Sequence, residues 1–122
     1  MRIGEFARQA GVSPRSLRHY EEAGLLVPTR TSAGYRNYSL KDLDAVARIR
    51  PILATGLGVA AAQRYLDCVE VAGDDRAVSI TMCSNLRREL EEVEERIARH
   101  RSRLAREQDA LNRFRAAAGE EE

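Results

Sequence analysis

The sequence predicts a mainly α-helical fold in which a small helix-turn-helix head precedes one long helix. Three stretches carry that expectation. Ser13-Pro14 is a helix start and Gly24 a helix stop, with Leu17 and Tyr20 between them on one face and Arg15, Ser16, Arg18 and His19 on the other. Residues 27–39 have no helical period and set β-formers on both sides of Ser32-Ala33-Gly34. From Cys83 to Phe114, seam residues recur in steps of three and four.

The elements follow in order. Ile3, Phe6, Ala7 and Ala10 share a helical face, and Gly11 ends that helix. Ser13 caps the next helix, and Pro14 fits its first position, where no N–H is needed. Its buried side and its cationic, hydrogen-bonding side suit insertion into a DNA major groove. Leu25 and Leu26 follow the stop and read as core. Arg30 and Arg36 fall near the tip of a short hairpin, with Tyr35 and Tyr38 interleaved. Such arginines reach phosphates or a narrow minor groove, or else decorate a solvated hairpin.

Ser39 to Asp42 resembles a capping box and starts a third helix. Leu40, Leu43, Val46, Ala47, Ile49 and Leu53 are expected inward, and Pro51 is expected to kink or break the helix. Gly56-Leu-Gly58 closes it. Val59 to Val69 reads as a fourth helix, with Ala62, Tyr65, Leu66 and Val69 inward, and Gly73-Asp74-Asp75 as a polar break. From about Ile80 one long helix is expected. With heptad position a at Cys83, the a positions hold Cys83, Leu90, Ile97, Leu104 and Leu111. The d positions hold Leu86, Val93, His100, Glu107 and Phe114. Glu92/Arg96 and Glu95/Arg99 are favourable i,i+4 pairs. Residues 83–114 would span roughly 48 Å, at ~1.5 Å per residue. A second copy is the economical cover for the seam of a helix that long, and packing against the chain's own helices is the alternative. The expected dimerisation residues are Leu86, Leu90, Val93, Ile97, Leu104, Leu111 and Phe114. His100 and Glu107 read either as a pH-sensitive register lock or as a looser, wetter part of the seam.

The predicted division is a head with its linking helices over 1–72, a coiled-coil helix over 76–118 and an acidic tail over 119–122. Charge follows the same division. Residues 1–58 hold nine Lys/Arg against five Asp/Glu, and residues 59–122 hold eleven against fourteen. A basic front on an acidic back fits a nucleic-acid head. Charged residues make up 32% of the chain and aromatics 5%, which fits a long solvated helix. No apolar run reaches the ~20 residues of a membrane span, and residues 1–5 lack a signal-peptide core. A cytoplasmic, nucleoid-associated chain with no membrane partner is expected, with Cys68 and Cys83 as reduced thiols. No nucleophile–base pair or phosphate loop suggests an enzyme, and no cofactor is implied.

Ile3-Gly-Glu-Phe-Ala7, Gly11-Val-Ser13, Leu17-Arg-His-Tyr-Glu21, Gly24-Leu-Leu26, Gly34-Tyr-Arg-Asn-Tyr38 and Leu40 with Asp42-Leu43 stand in one order. In these motifs the chain resembles the MerR (mercury-resistance regulator) family of bacterial transcription factors. The motifs span 3–58, and the heptads extend the likeness to about 115. The resemblance implies a winged helix-turn-helix homodimer held by an antiparallel coiled coil. It would bind double-stranded promoter DNA at a pseudo-palindromic operator, bending and untwisting it, and so act indirectly on RNA polymerase. It implies Arg18 and Tyr20 as recognition-helix contacts and Arg36 and Tyr38 as wing contacts. Arg15, Ser16 and His19 lie on the same reading face. A core role is the alternative for Tyr20. Cys83 matches a cysteine that metal-sensing members use, but no metal site is expected and it reads as a small apolar seam residue; the effector is open. The alternatives to a promoter-distorting regulator are an effectorless architectural or excision-type accessory protein, or a coiled-coil interaction module.

Overall fold

The structure, a computed structural model, describes residues 1–73 and 75–120. It forms two units, a head from Met1 to Cys83 and a second unit beginning at Ser84. In the head, helix α1 (Ile3–Ala10) ends where Gly11 turns left-handed at φ 73. Helix α2 (Pro14–Glu22) starts on Ser13, whose Oγ accepts the Ser16 N–H at 3.1 Å. It ends two residues before Gly24, which sits at φ 74 and lets the Leu25 N–H reach back to the Tyr20 carbonyl at 2.9 Å. That back-bond satisfies a carbonyl the helix end leaves open. Phe6, Ala7, Leu17, Tyr20, Leu25 and Leu26 are all buried, so the two helices and the chain after them share one core. A fully buried Leu17 or Phe6 contributes about 1.5–3 kcal/mol of transfer free energy.

Strands β1 (Thr29–Arg30) and β2 (Arg36–Asn37) make a two-residue antiparallel hairpin with Arg30 opposite Arg36. Helix α3 (Leu40–Ala54) begins with the expected capping box, in which Asp42 Oδ2 accepts the Ser39 N–H at 2.8 Å. Its inner face is Leu43, Val46, Ile49 and Ile52. Leu40 is 68% exposed, and Ile52 takes the inward place expected of Leu53. Pro51 does not end the helix. It stands three residues from the C-terminus, so it removes one late backbone bond and no turn has to be built beyond it.

The region after α3 departs most from expectation. Helix α4 is only Val59–Tyr65, followed by a tight 3-10 turn over Leu66–Cys68. Val69 is buried as foreseen, but as the first residue of strand β3 (Val69–Ala72), which pairs antiparallel with β4 (Ala77–Ile80). Gly73, Asp75 and Arg76 lie between the two strands, and Asp74 lies outside the described residues. Arg76 donates from Nε to Asp44 Oδ1 on α3 at 3.2 Å, and this fixes the turn against that helix.

Helix α5 (Ser84–Ala117) is 34 residues, roughly 51 Å long. It begins at Ser84 rather than near Ile80, because Ile80 is committed to β4. Leu86 and Val93 are buried and Leu90 is half-buried. Ile97, Leu104, Leu111 and Phe114 are exposed. Arg103 donates to Glu107 Oε1 at 3.2 Å along the helix. Of the acidic tail, the Glu120 N–H closes the helix end on the Arg115 carbonyl at 2.9 Å, and residues 121–122 lie outside the described residues.

Gly24 and Gly11 have the same backbone but different surroundings. A Cβ on Gly24 meets nothing within 4 Å, whereas one on Gly11 comes 3.1 Å from Arg50 Nη1, which donates to the Ala10 carbonyl. Gly24→Ala is therefore expected to cost about 1–2 kcal/mol, all of it backbone. Gly11→Ala is expected to cost at least as much. Thermal unfolding of the two variants beside the parent checks the order.

Candidate nucleic-acid interface

The two faces of helix α2 have opposite chemistry. Leu17 is 0% exposed and anchors it to the core, and Tyr20 at 7% lies on the same inner side. Arg15, Arg18 and His19 are exposed, Ser16 is half-buried, and with Glu22 they line a shallow hollow along the outer side. Both ends of the helix are held. Ser13 caps the start. At the far end Gln63 Nε2, from α4, donates to the Ala23 carbonyl at 2.6 Å. Arg50 of α3 does the same for the end of α1. Long side chains from the supporting helices thus fix the angle at which α2 is presented.

The hairpin is tied to α2 by a single carboxylate. Glu21 Oε2 accepts from Arg36 Nε at 2.6 Å, and Arg30 Nη2 stands 3.8 Å from Glu21 Oε1. The Glu21 side chain is only 19% exposed. Arg30 also donates from Nη1 to the Gly34 carbonyl across the hairpin tip at 3.0 Å. Arg36, expected as a nucleic-acid contact, is thus first a structural partner of α2. Its bond to Glu21 uses Nε, one of five N–H donors on the guanidinium.

The sequence reading left Arg2 out of the interface and gave Tyr35 no role. The Arg2 guanidinium stacks over the Tyr35 ring at 4.4 Å, and a hollow of about 180 Å³ opens between Arg2, Arg30, Tyr35 and Arg36. Three arginines therefore converge beside the hairpin. The signal was present in part, since Arg30 and Arg36 stand six apart across a turn, but the return of residue 2 to this point depends on the tertiary fold. That return is hydrogen-bonded. The Met1 amine donates to the Tyr38 carbonyl at 2.7 Å, and the Tyr38 N–H donates to the Met1 carbonyl at 2.7 Å.

Tyr38 corrects an expectation. A wing contact needs its hydroxyl at the surface, but Tyr38 is 2% exposed. Its ring stacks on Phe6, with centroids 4.5 Å apart and planes 10° from parallel. Its Oη is buried with no hydrogen-bond partner among the described residues. The apolar stack outweighs the orphaned hydroxyl, since two buried aromatic rings gain more than one unmade bond costs. Burial, followed by the Glu21 charge, pushes the Tyr38 hydroxyl above its ordinary 10.0.

Cys83, read as a seam residue, lies instead just before α5. It is exposed, and it lies close enough to half-buried Cys68 to raise that thiol's pKa, second to burial. Among the described residues no group of three or more His, Cys, Asp or Glu gathers as a metal site. No described helix is long and apolar enough to cross a membrane.

Comparison with known proteins agrees with this geometry. The family described as "MerR HTH family regulatory protein" matches residues 1–68. An uncharacterised HTH-type transcriptional regulator of Pseudomonas aeruginosa is 33% identical over 98 residues, covering 76% of this chain and 74% of that one. The HTH-type transcriptional activator TipA of Streptomyces coelicolor is 36% identical over 110 residues, which are 89% of this chain but 40% of TipA. A MerR family regulator from Bacillus cereus shares the fold with a TM-score of 0.74 at 22% identity, over 100% of this chain and 84% of that one. HiNmlR, a MerR family regulator lacking the sensor domain and solved bound to promoter DNA, matches with a TM-score of 0.52 at 24% identity, over 94% and 86% of the two chains.

Tyr38→Phe keeps the stacked ring and removes the unpartnered hydroxyl. It is expected to leave DNA affinity unchanged and to stabilise the head by about 1 kcal/mol at neutral pH. The native tyrosine holds its proton more tightly than an unfolded one does. Stability is therefore flat below the ordinary value of 10.0 and falls as pH rises beyond it toward the folded value. The variant lacks that contribution to alkaline loss, and unfolding curves between pH 8 and 11 report the difference. Weakened DNA binding by Tyr38→Phe would put the hydroxyl back at the interface.

Proposed function

The chain belongs to the MerR HTH family of regulatory proteins, is a DNA-binding transcriptional regulator of that type, and we propose that it acts as a homodimer that bends and untwists a pseudo-palindromic promoter operator. One observation carries the reading. A helix with Arg15, Arg18 and His19 outward is locked by Glu21 to a hairpin bearing Arg30 and Arg36. One rigid piece thus offers a groove-reading face beside a phosphate-binding one.

Each side chain has a part. Arg18 and Arg15 meet phosphates or guanine edges, for which the planar guanidinium is suited. Ser16 and His19 supply smaller hydrogen-bonding groups on the same face. Tyr20 acts from beneath, holding α2 at its depth. Arg36, anchored through Nε, offers its remaining N–H groups to the backbone, and Arg2 and Arg30 extend the cationic strip. Contacts of this kind set register. Specificity at untouched base pairs then comes from the energy of deforming them. RNA polymerase is reached through the promoter's altered geometry.

The second copy is inferred from α5. Ile97, Leu104, Leu111 and Phe114 repeat at heptad spacing and stay exposed on a helix of roughly 51 Å. An antiparallel partner helix buries that row and puts one head at each end, which sets the half-site spacing. HiNmlR, a MerR family regulator of similar fold, is solved bound to promoter DNA, which supports DNA as the partner proposed for this chain.

The test is binding of the full chain to DNA upstream of its own gene across a salt series. Arg18→Ala is expected to weaken binding and flatten the salt slope by about one unit. A slope identical to the parent's removes Arg18 from the phosphate contacts. Leu104→Glu with Leu111→Glu is expected to leave a monomer by light scattering, with a head that keeps its fold. A double variant that still runs at twice the chain mass rules out α5 pairing as the source of the dimer.

A further inference from the structure

The head contains one pair of chemically reactive groups that the DNA reading does not use. Cys68 closes the 3-10 turn one residue before β3, and Cys83 is the last residue before α5. The β3–β4 ladder brings them together. Val69 pairs with Ile80, and the Thr81 N–H donates to the Cys68 carbonyl at 2.8 Å, so the ladder runs one step past the strands toward Cys83. The two side chains are close enough for Cys83 to act on the Cys68 thiol. Fifteen positions apart in sequence, they are neighbours in space because a hairpin folds between them.

We propose that Cys68 and Cys83 are a redox couple, oxidised by a hydroperoxide to a reversible intramolecular disulfide. The two thiols differ in the way such a couple requires. Cys83 is exposed and meets the oxidant, whereas Cys68 is half-buried behind it. Burial, and then the neighbouring Cys83, hold the Cys68 thiol above its ordinary value, so it keeps its proton and waits as the resolving partner. In the first step the Cys83 thiolate attacks one peroxide oxygen. The O–O bond breaks, and the other oxygen leaves as water or an alcohol once protonated. In the second step the Cys68 sulfur attacks the Cys83 sulfenic acid. The S–S bond forms, hydroxide leaves, and the Cys68 proton makes it water. Two electrons pass from the two thiols to the peroxide. The product staples the base of the hairpin to the residue from which α5 starts. Thiol–disulfide exchange with a dithiol reductant restores the pair.

The experiment needs neither DNA nor the dimer, so its outcome stands apart from the promoter-binding reading. Reduced full-length protein is treated with hydrogen peroxide, quenched with a thiol-blocking reagent and mapped by mass spectrometry without reduction. The expected product joins the Cys68 and Cys83 peptides within one chain and reverts with dithiothreitol. Cys83→Ser is expected to slow peroxide consumption by at least about tenfold, and Cys68→Ser to leave a sulfenic acid on Cys83 that dimedone traps. Overoxidation of Cys83 in the parent with Cys68 left as a free thiol overturns the proposal. So does a Cys83–Cys83 link between chains as the main product. The parent measurement decides even if a serine variant folds poorly.

Discussion

The head depends on the ion pair between Glu21 and Arg36. The Glu21 carboxylate of α2 accepts a hydrogen bond from the Nε–H of Arg36 on β2 at 2.6 Å, with Arg30 close to its other oxygen. Exposed ion pairs contribute little to stability, typically under ~1 kcal/mol. This one matters for position. A two-residue hairpin has only a short ladder and no apolar face of its own, so nothing in its strands sets its orientation. Glu21 sets that orientation from the recognition side. The stack of Tyr38 on Phe6 sets it from the opposite side, and the paired backbone of Met1 and Tyr38 closes the arrangement. The cationic residues are thereby pre-organised, and binding DNA need not first order them.

Much of this was legible because the head announces its elements with single residues. Gly11, Ser13-Pro14 and Gly24 each have one physical reason to stand at a helix boundary, and α1 begins and ends as the spacing predicts. The reading surface of α2 was legible for the same reason: Leu17 and Arg18 are adjacent, and a helix must send them to different sides. The hairpin after α4 was not legible. Ala62, Tyr65, Leu66 and Val69 keep a helical spacing, yet the helix stops at Tyr65. Only Val69, Val71, Val78 and Ile80, alternating on either side of a Gly-Asp turn, marked strands, and alternation over four residues is a weaker signal than a heptad. Tyr38 failed for another reason. An aromatic beside an exposed arginine looks the same in sequence whether it faces solvent or stacks inward, and Phe6, which decides it, is thirty-two positions away.

The two units rest on different kinds of stability. The head buries Phe6, Leu17, Leu26, Val46, Ile49 and Tyr38 almost completely, which is a core in its own right. Helix α5 has no such core. It carries dense charge, an i,i+4 ion pair and a capped C-terminus, each a matter of a few tenths of a kcal/mol to about one. Helix formation without packing is marginal; Leu86 and Val93 are already buried, and the exposed apolar row is what further burial would stabilise. Association through that row would make the stability of α5 depend on protein concentration, while the head's does not. In the proposed dimer, folding of the head and pairing of the heads would be separate equilibria. A mutation in the seam would then act on occupancy of two half-sites together, and a mutation at Glu21 on each half-site alone.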